Sequence, residues 1–330
     1  MAGLTGKVIE SLLAKFPQNF SYVCAYGSSV FPQKHKLVSE LFQSSMIDFI
    51  FVVDDPLSWH KANLQLNRNH YSILKFAGPE VIKLFQEEYG AKMYFNTLVP
   101  VGNQLIKYGV ISTDHLVEDL LDWQTMYPSG RLHKPVQTIR EAKNNVLKKA
   151  LYTNLQSVLH AALLCLGEFF TEEELYQKIT GLSYNGDFRM YFGEDKRKII
   201  NIVKHQVPHF QKLYSEHIQS MPGLHWIKSR NMFEQDCSNE STLHHLNLLP
   251  KMVQHNLLIE WNKDGKYRDM EEVLSTISCD PDCEKLVEKA INTIVWWSSI
   301  TQSLKGIVTA GLKKSFLYSS RKIMKMITSL

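Results

Sequence analysis

The sequence lacks a long apolar run, a paired-cysteine motif and internal repeats. No window approaches the roughly 20 consecutive apolar residues that a membrane-spanning helix needs, so the sequence predicts a soluble or peripheral protein. Its five cysteines are an odd number and include no Cys-x-x-Cys pair, which argues against a zinc site. We interpret them as reduced thiols in an intracellular compartment.

Acidic residues are missing from the C-terminal part of the chain. After Glu288 no acidic residue occurs, but seven basic ones do: Lys289, Lys305, Lys313, Lys314, Arg321, Lys322 and Lys325. Ile300, Leu304 and Ile307 recur there at helical spacing. A basic amphipathic segment suits an anionic lipid surface, and we predict that residues 298–330 bind one. The pattern fits equally a helix docked on the core with a solvated basic face.

Nucleic acid is not an expected partner, because the basic residues are not interleaved with aromatic residues that could stack on bases. The 330 residues, 44% apolar and 21% charged, are typical of a globular protein with room for two domains. Residues 1–133 indicate an α/β (α+β) domain with a mixed sheet. Residues 134–235 are mainly helical and fit a winged-helix-like module. Residues 236–330 form a C-terminal region that ends in the basic tail, and we expect the polar, histidine-rich residues 222–283 to be irregular.

The most informative motif is a glycine-serine turn followed by a strand with one carboxylate. The apolar segment Tyr22–Tyr26 leads into Gly27 and Ser28, and residues 46–53 are apolar except for Asp48. Glycine lets the backbone approach a phosphate, whose oxygens the serine hydroxyl and nearby N–H groups can bind. A carboxylate in an apolar strand is costly without a partner such as Mg²⁺. The motif therefore indicates nucleotidyl transfer.

Such a strand usually carries two carboxylates two residues apart, so that both can share the metal ions. Here that position is Ile50. We predict that Asp187 supplies the second acidic group if the helical region folds over the cleft, and that Arg189 then contacts phosphate. Lys107 lies in another apolar strand, where it could neutralise triphosphate charge or simply extend its ammonium group to solvent.

A helix with a polar side is predicted after the carboxylate strand. Asp54 and Asp55 read as turn and capping residues, and Pro56 suits the first helical position. Four residues then fall on one side of the helix predicted for residues 57–72: His60, Asn63, Asn67 and His70. A solvated surface is the simpler interpretation of this stripe. The alternative is a polar wall of a binding cleft, to which we assign His70.

Together these motifs resemble one family. They are residues 26–28, 48–56, 59–60, 63–64, 67, 70–72, 106–112, 181–190, 193–196, 298–300, 302–303 and 305–307. In this order they are similar to the mitochondrial CDP-diacylglycerol synthases, also named translocator assembly and maintenance proteins. The resemblance covers nearly the whole chain.

The resemblance implies a nucleotidyltransferase domain followed by a helical, winged-helix-like domain, in a peripheral enzyme on the matrix side of the mitochondrial inner membrane. It implies that CTP and phosphatidic acid form CDP-diacylglycerol and pyrophosphate with Mg²⁺, for phosphatidylglycerol and cardiolipin synthesis. The predicted catalytic residues are Asp48, Lys107 and Asp187, with Asp48 and Asp187 on the metal. The predicted nucleotide-binding residues are Gly27, Ser28, Ser29, His70 and Arg189.

Two alternatives remain at this stage. One is a non-catalytic factor that maintains the protein-import machinery of that membrane, as the older family name suggests. The other is a nucleotidyltransferase with a soluble or RNA acceptor, which the basic tail permits.

Overall fold

The computed structural model describes residues 6–31, 46–192 and 197–311. The predicted motif at 193–196 and the tail beyond residue 311 lie outside the described residues, as does most of the loop predicted between Ser29 and Met46. Within the described ranges, no helix is both long and apolar enough to cross a membrane. All five cysteines are free thiols, as predicted.

A mixed sheet forms the centre of the N-terminal half. Its strands are β1 (Tyr22–Tyr26), β2 (Ile47–Val53), β3 (Tyr94–Val101), β4 (Gln104–Ser112) and β5 (Gln137–Arg140). The strand order is β3-β4-β2-β1-β5, with β2 and β4 parallel and the other neighbours antiparallel. The α/β class and the strands β1, β2 and β4 are confirmed. β3 was not predicted, because Asn96 and Pro100 interrupt its apolar pattern.

Helices cover both faces of this sheet. They are α1 (Gly6–Leu13), α2 (Pro56–Asn67), α3 (Pro79–Glu88), α4 (Thr113–Asp122), α5 (Pro128–Leu132) and α6 (Asn145–Leu163), with short 3₁₀ turns at Arg68–His70 and Ile73–Phe76. Asp55 caps α2, because its carboxylate accepts hydrogen bonds from the Leu57 and Ser58 N–H groups. Asp54 accepts hydrogen bonds from the Ser21 and Thr113 hydroxyls. The predicted turn and cap roles are therefore confirmed.

Side chains alternate along β2 between two cores. Phe49 and Phe51 pack with Trp59 and α1 on one face. Ile50 and Val52 pack on the other face, with residues of α4, α5 and α6. Asp48 is two residues before Ile50, so it belongs to this second face.

The second half of the chain builds a separate, mainly helical core. Its remaining elements are β6 (Phe169–Phe170), α7 (Glu172–Leu182), α8 (Arg189–Phe192), α9 (Lys198–Lys204), α10 (Val207–Gln219), β7 (Leu224–Ile227), β8 (Met232–Gln235), α11 (Asn239–Asn247), α12 (Lys251–Trp261), α13 (Met270–Ser278) and α14 (Cys283–Ala310). The three strands form an antiparallel sheet in the order β6-β8-β7. The predicted capping box of Thr171 and Glu174 is confirmed at the start of α7. The winged-helix description of this region stays a prediction.

The prediction that residues 222–283 are irregular is wrong. They form the β7-β8 hairpin and the helices α11, α12 and α13. Leu246, Val253 and Ile277 are buried in the helical core. The many polar residues mark the outer sides of short helices, whose stability comes from packing rather than from a strong local pattern.

α14 returns to the N-terminal domain and docks with a polar side. Gln302 and Lys305 are buried, whereas Leu304 and Ile307 are exposed. The Gln302 side chain accepts a hydrogen bond from the Ala91 N–H at 2.9 Å. The interpretation of this segment as a docked helix is thus confirmed for its described part. The solvated basic face that it included is wrong at Lys305, because this lysine is buried and the apolar residues face outward.

Candidate active site

Three side chains, Tyr26, Asp48 and Lys107, form a row across adjacent strands, which we call the Asp48 row. Asp48 on β2 lies opposite Tyr26 on β1 and opposite Lys107 on β4. Directly paired residues point to the same face of a sheet, so the three side chains are neighbours. The Lys107 Nζ is 3.6 Å from Asp48 Oδ1 and 4.5 Å from the centre of the Phe95 ring. Lys107 therefore directs its charge to the carboxylate predicted to bind the metal.

One oxygen of Asp48 has no hydrogen-bond donor. Its Oδ1 is inaccessible to water and accepts no hydrogen bond from the described residues, because its ion pair with Lys107, at 3.6 Å, is too long for a hydrogen bond. A buried carboxylate oxygen without a donor is costly, so it suits an incoming cation. Within the described ranges, no group of three or more His, Cys, Asp or Glu side chains could hold a metal ion. A Mg²⁺ held by Asp48 would therefore take most of its other ligands from phosphate oxygens and water.

The glycine-serine turn passes directly over this carboxylate. Gly27 directly follows β1 and has φ +90°, in the left-handed region that favours glycine. A Cβ atom at Gly27 would lie only 3.3 Å from Asp48 Oδ2. Ser28 is exposed on the turn. The Ser29 hydroxyl donates to the Met46 carbonyl at 2.7 Å, which joins the turn to the start of β2.

A cluster of cations beside the row was missed by sequence reasoning. The Arg131 guanidinium lies 4.7 Å from the centre of the Tyr26 ring, and its Nη1 donates to the Tyr184 hydroxyl at 3.4 Å. The ammonium groups of Lys134 and Lys198 lie 4.9 and 4.7 Å from the centre of the Tyr184 ring. The spacing of three between Arg131 and Lys134 was the available local signal. Tyr184 belongs to the segment 181–190, which the sequence analysis placed near the cleft.

The cluster is positively charged and is buried at Lys134 and Tyr184. Lys134 is 5% exposed and donates to Ser183 Oγ at 2.6 Å. Burial lowers the pKa of Lys134 to about 7. Burial alone would raise the pKa of Tyr184, but the three surrounding cations outweigh it and lower this pKa to about 6. In the part of the chain that the structure describes, no carboxylate forms an ion pair with Arg131 or Lys134. The cluster can therefore attract an anion to the edge of the Asp48 row.

We expect Tyr184 to ionise far below an ordinary tyrosine. A titration of tyrosinate absorbance in the near ultraviolet should show a transition near pH 6 that is absent from Tyr184→Phe. Because the folded-state pKa is below the unfolded value of about 10, the ionised tyrosine contributes stability that is complete above pH 10 and is lost as the pH falls toward 6. The exposed Tyr267→Phe is the matched control and should keep the transition. Identical titrations of the wild type and Tyr184→Phe would contradict the expectation.

Asp187 and Arg189 bind each other in the structure. Asp187 is buried, and Arg189 Nε donates to its two carboxylate oxygens at 2.9 and 3.1 Å. The Arg189 Nη2 adds a third bond at 2.5 Å. The arginine therefore occupies the carboxylate oxygens of Asp187, and the role of Asp187 on the metal stays a prediction.

His70 is on the other face of the sheet. Its Nδ1 bonds with the Tyr108 hydroxyl at 3.0 Å. Tyr108 follows Lys107 along β4, so its ring points away from the Asp48 row and packs in the opposite core. The structure therefore does not bring His70 to the other predicted nucleotide-binding residues.

The polar stripe of α2 is largely a buried network. His60 and Asn63 are fully buried. The two ring nitrogens of His60 bond with the Tyr71 hydroxyl at 2.8 Å and with Gln86 Oε1 at 2.9 Å, and Asn63 donates to the same tyrosine at 2.8 Å. Both interpretations of these two residues, a solvated surface and a cleft wall, are wrong. The stripe joins α2 to α3 and the sheet, and burial lowers the pKa of His60 to about 4.

Comparison with known proteins finds similarity over nearly the whole chain. The sequence profile of the family described as "Phosphatidate cytidylyltransferase, mitochondrial" matches residues 9–325. A protein of that name from Xenopus laevis is 49% identical over 326 residues, which are 99% of this chain and 96% of that protein. Its namesake from Danio rerio is 49% identical over 315 residues, covering 96% and 93% of the two chains. The protein of this name from Homo sapiens is 45% identical over 307 residues, covering 93% of this chain and 67% of that protein.

Proposed function

Since this chain belongs to the family of mitochondrial phosphatidate cytidylyltransferases, we propose that it transfers the cytidylyl group of CTP to phosphatidate at the Asp48 row. The products are CDP-diacylglycerol, a precursor of phosphatidylglycerol and cardiolipin, and pyrophosphate. The observation that carries this placement is the buried Oδ1 of Asp48, which has no hydrogen-bond donor among the described residues and lies beside Lys107 and under the Gly27 turn. A metal-bound triphosphate needs such a carboxylate, a nearby cation and a close backbone approach.

Each part of the site has a separate task in this proposal. The turn at Gly27 and Ser28 receives the triphosphate, because no side chain separates its backbone from Asp48. Asp48 would hold Mg²⁺, which, when bound, polarises the phosphate under attack. Lys107 offsets the charge that grows on the departing pyrophosphate. The phosphate of phosphatidate is already ionised near neutral pH, so the attack requires no added base.

The cation cluster extends this arrangement. Arg131, Lys134 and Lys198 place positive charge next to the row, where two substrates that both carry phosphate must meet. We also propose Asp187 as a further metal contact and Arg189 as a phosphate contact. Their ion pair has to separate for both contacts to form.

We further propose that the protein is peripheral to the mitochondrial inner membrane, on its matrix side. The names of the relatives support a mitochondrial protein. The acid-free basic segment of residues 298–330 supports contact with anionic lipid, because cations near such a surface are attracted to it.

The test is release of pyrophosphate by the purified chain, with the lipid product identified by mass spectrometry. We expect release only when CTP, phosphatidate and Mg²⁺ are all present, and we expect a chelator to abolish it. Release without phosphatidate, or with a different soluble acceptor in its place, would contradict the proposal that phosphatidate accepts the cytidylyl group. No release from a folded protein under any nucleotide condition would favour the alternative of a non-catalytic maintenance factor.

A further inference from the structure

The last turns of α14 carry an exposed apolar stripe. Trp297 is 63% exposed, Leu304 62% and Val308 42%. They follow one another at steps of seven and four residues, which keeps them on one side of a helix. On the opposite side, Gln302 and Lys305 are only 3% and 5% exposed. The usual arrangement of an amphipathic helix on a protein is therefore reversed.

Hydrogen bonds fix this orientation. The Lys305 ammonium donates to the carbonyls of Gln86 and Tyr89, at the C-terminal end of α3, at 2.9 and 2.7 Å. Gln302 donates to the Met93 carbonyl at 3.4 Å and accepts from the Ala91 N–H. Rotating α14 to bury its apolar stripe would remove these partners from a buried charge and a buried amide, which is costly. The stripe is therefore held outward.

A second exposed apolar element, which belongs to the N-terminal domain, lies next to the stripe of α14. The Ser72 hydroxyl donates to the Val308 carbonyl at 3.0 Å, which joins the 3₁₀ turn Ile73–Phe76 to the end of α14. Within this turn Ile73 is 75% and Phe76 72% exposed. Exposed apolar side chains that are adjacent in this way mark an interaction surface.

Two cations lie beside the Phe76 ring of this surface. The Arg68 guanidinium and the Lys75 ammonium each lie 5.5 Å from the centre of the Phe76 ring. A Cβ atom at Gly311 would lie 3.7 Å from Ser72 Cβ, so the chain leaves α14 beside the turn. The residues that follow include Lys313 and Lys314 and no acidic residue. Apolar side chains among cations fit an anionic bilayer better than they fit a neutral protein partner.

We propose that the turn Ile73–Phe76 and the outward stripe of α14 form one surface that inserts into the interface of an anionic lipid bilayer, with Ile73 and Phe76 as anchors within the N-terminal domain. This proposal rests on the proposed function, because phosphatidate resides in a membrane. It assigns a membrane contact to the domain that carries Asp48, besides the contact proposed for the basic tail.

The test is sedimentation with vesicles of phosphatidylcholine and phosphatidate. We expect the double variant Ile73→Ser/Phe76→Ser to lose about tenfold or more in vesicle affinity, because two exposed apolar side chains no longer enter the lipid. Val146→Ser/Tyr267→Ser removes two apolar side chains that are 64% and 95% exposed elsewhere, and it is the matched control. Turnover of a short-chain, water-soluble phosphatidate should be equal in all three proteins. Equal vesicle binding by the double variant and the control would overturn the proposal.

The soluble substrate separates this proposal from the proposed function. If the wild type does not turn over short-chain phosphatidate with CTP, the function fails, whereas the vesicle result still decides the surface. A second measurement is the quenching of tryptophan fluorescence in Phe76→Trp by vesicles that contain brominated lipids. We expect stronger quenching than in the wild type or in Val146→Trp, and no added quenching would overturn the insertion. A dimer that the double variant disrupts, without a change in vesicle binding, would also overturn it in favour of a second copy of the chain.

Discussion

Replacing Asp48 by asparagine should lower cytidylyl transfer by about a thousandfold or more while the protein stays folded. An amide has nearly the shape of a carboxylate but lacks the charge that would hold Mg²⁺ and face Lys107. The side chain lies at the start of β2 and outside the apolar clusters of both sheet faces. The substitution should therefore change the stability of the fold little, whereas it removes the one carboxylate of the Asp48 row that could bind the metal.

The measurement is pyrophosphate release at saturating CTP and phosphatidate, together with circular dichroism and the thermal midpoint. Asp55→Asn is the matched control, because it makes the same chemical change seven residues away and asparagine also caps helices. The control should keep activity and stability. An Asp48→Asn protein with more than about a tenth of wild-type turnover would remove Asp48 from the metal site, since loss of a metal ligand has a far larger effect.

Replacing Gly186 by alanine should destabilise the protein by about 2–4 kcal/mol. An added Cβ would lie 2.4 Å from the carbonyl oxygen of Asn292 and 2.7 Å from its Cα. These are backbone atoms of α14, so no rotamer change relieves the overlap. The turn that carries Tyr184 and Asp187 would have to move away from the helix, and activity should fall with stability.

Gly306→Ala is the control for this prediction. Gly306 lies in the same helix, and no atom of the described residues outside the local helix backbone lies within 4 Å of an added Cβ, so alanine should raise stability by up to about 1 kcal/mol. Thermal unfolding of the two variants should therefore shift the midpoint in opposite directions. A Gly186→Ala protein as stable as the wild type would mean that the turn and α14 are not held against each other.

Local signals determined much of the first domain. The strands β1, β2 and β4 and the cap at Asp55 each depend on a few consecutive residues, so they could be predicted from the chain alone. Gly27 and Asp48 were identified because a glycine after a strand and a carboxylate within one are unusual wherever they occur. Lys107 was also identified in this way, but its contact with Asp48 was not. Lys107 reaches it through the parallel register of β2 and β4, which depends on the whole sheet.

The cation cluster likewise could not be predicted from local sequence, because its residues come from separate segments. Arg131 comes from the end of α5, Lys134 from the segment that follows it, Lys198 from the start of α9, and Tyr184 from the turn after α7. No spacing in the sequence joins these segments. They meet because the helical half packs against the sheet, and the low pKa of Tyr184 exists only in that assembly.

By itself, the sequence determined the family, the α/β class, the glycine turn with its carboxylate, and the presence of an amphipathic pattern near the C-terminus. Only the tertiary structure decided which side of α14 is buried. A helical period shows that two sides differ in polarity, but not which side finds partners. Backbone carbonyls at the end of α3 accept the Lys305 ammonium, so the charged side became the interior one and the apolar side was left for another surface.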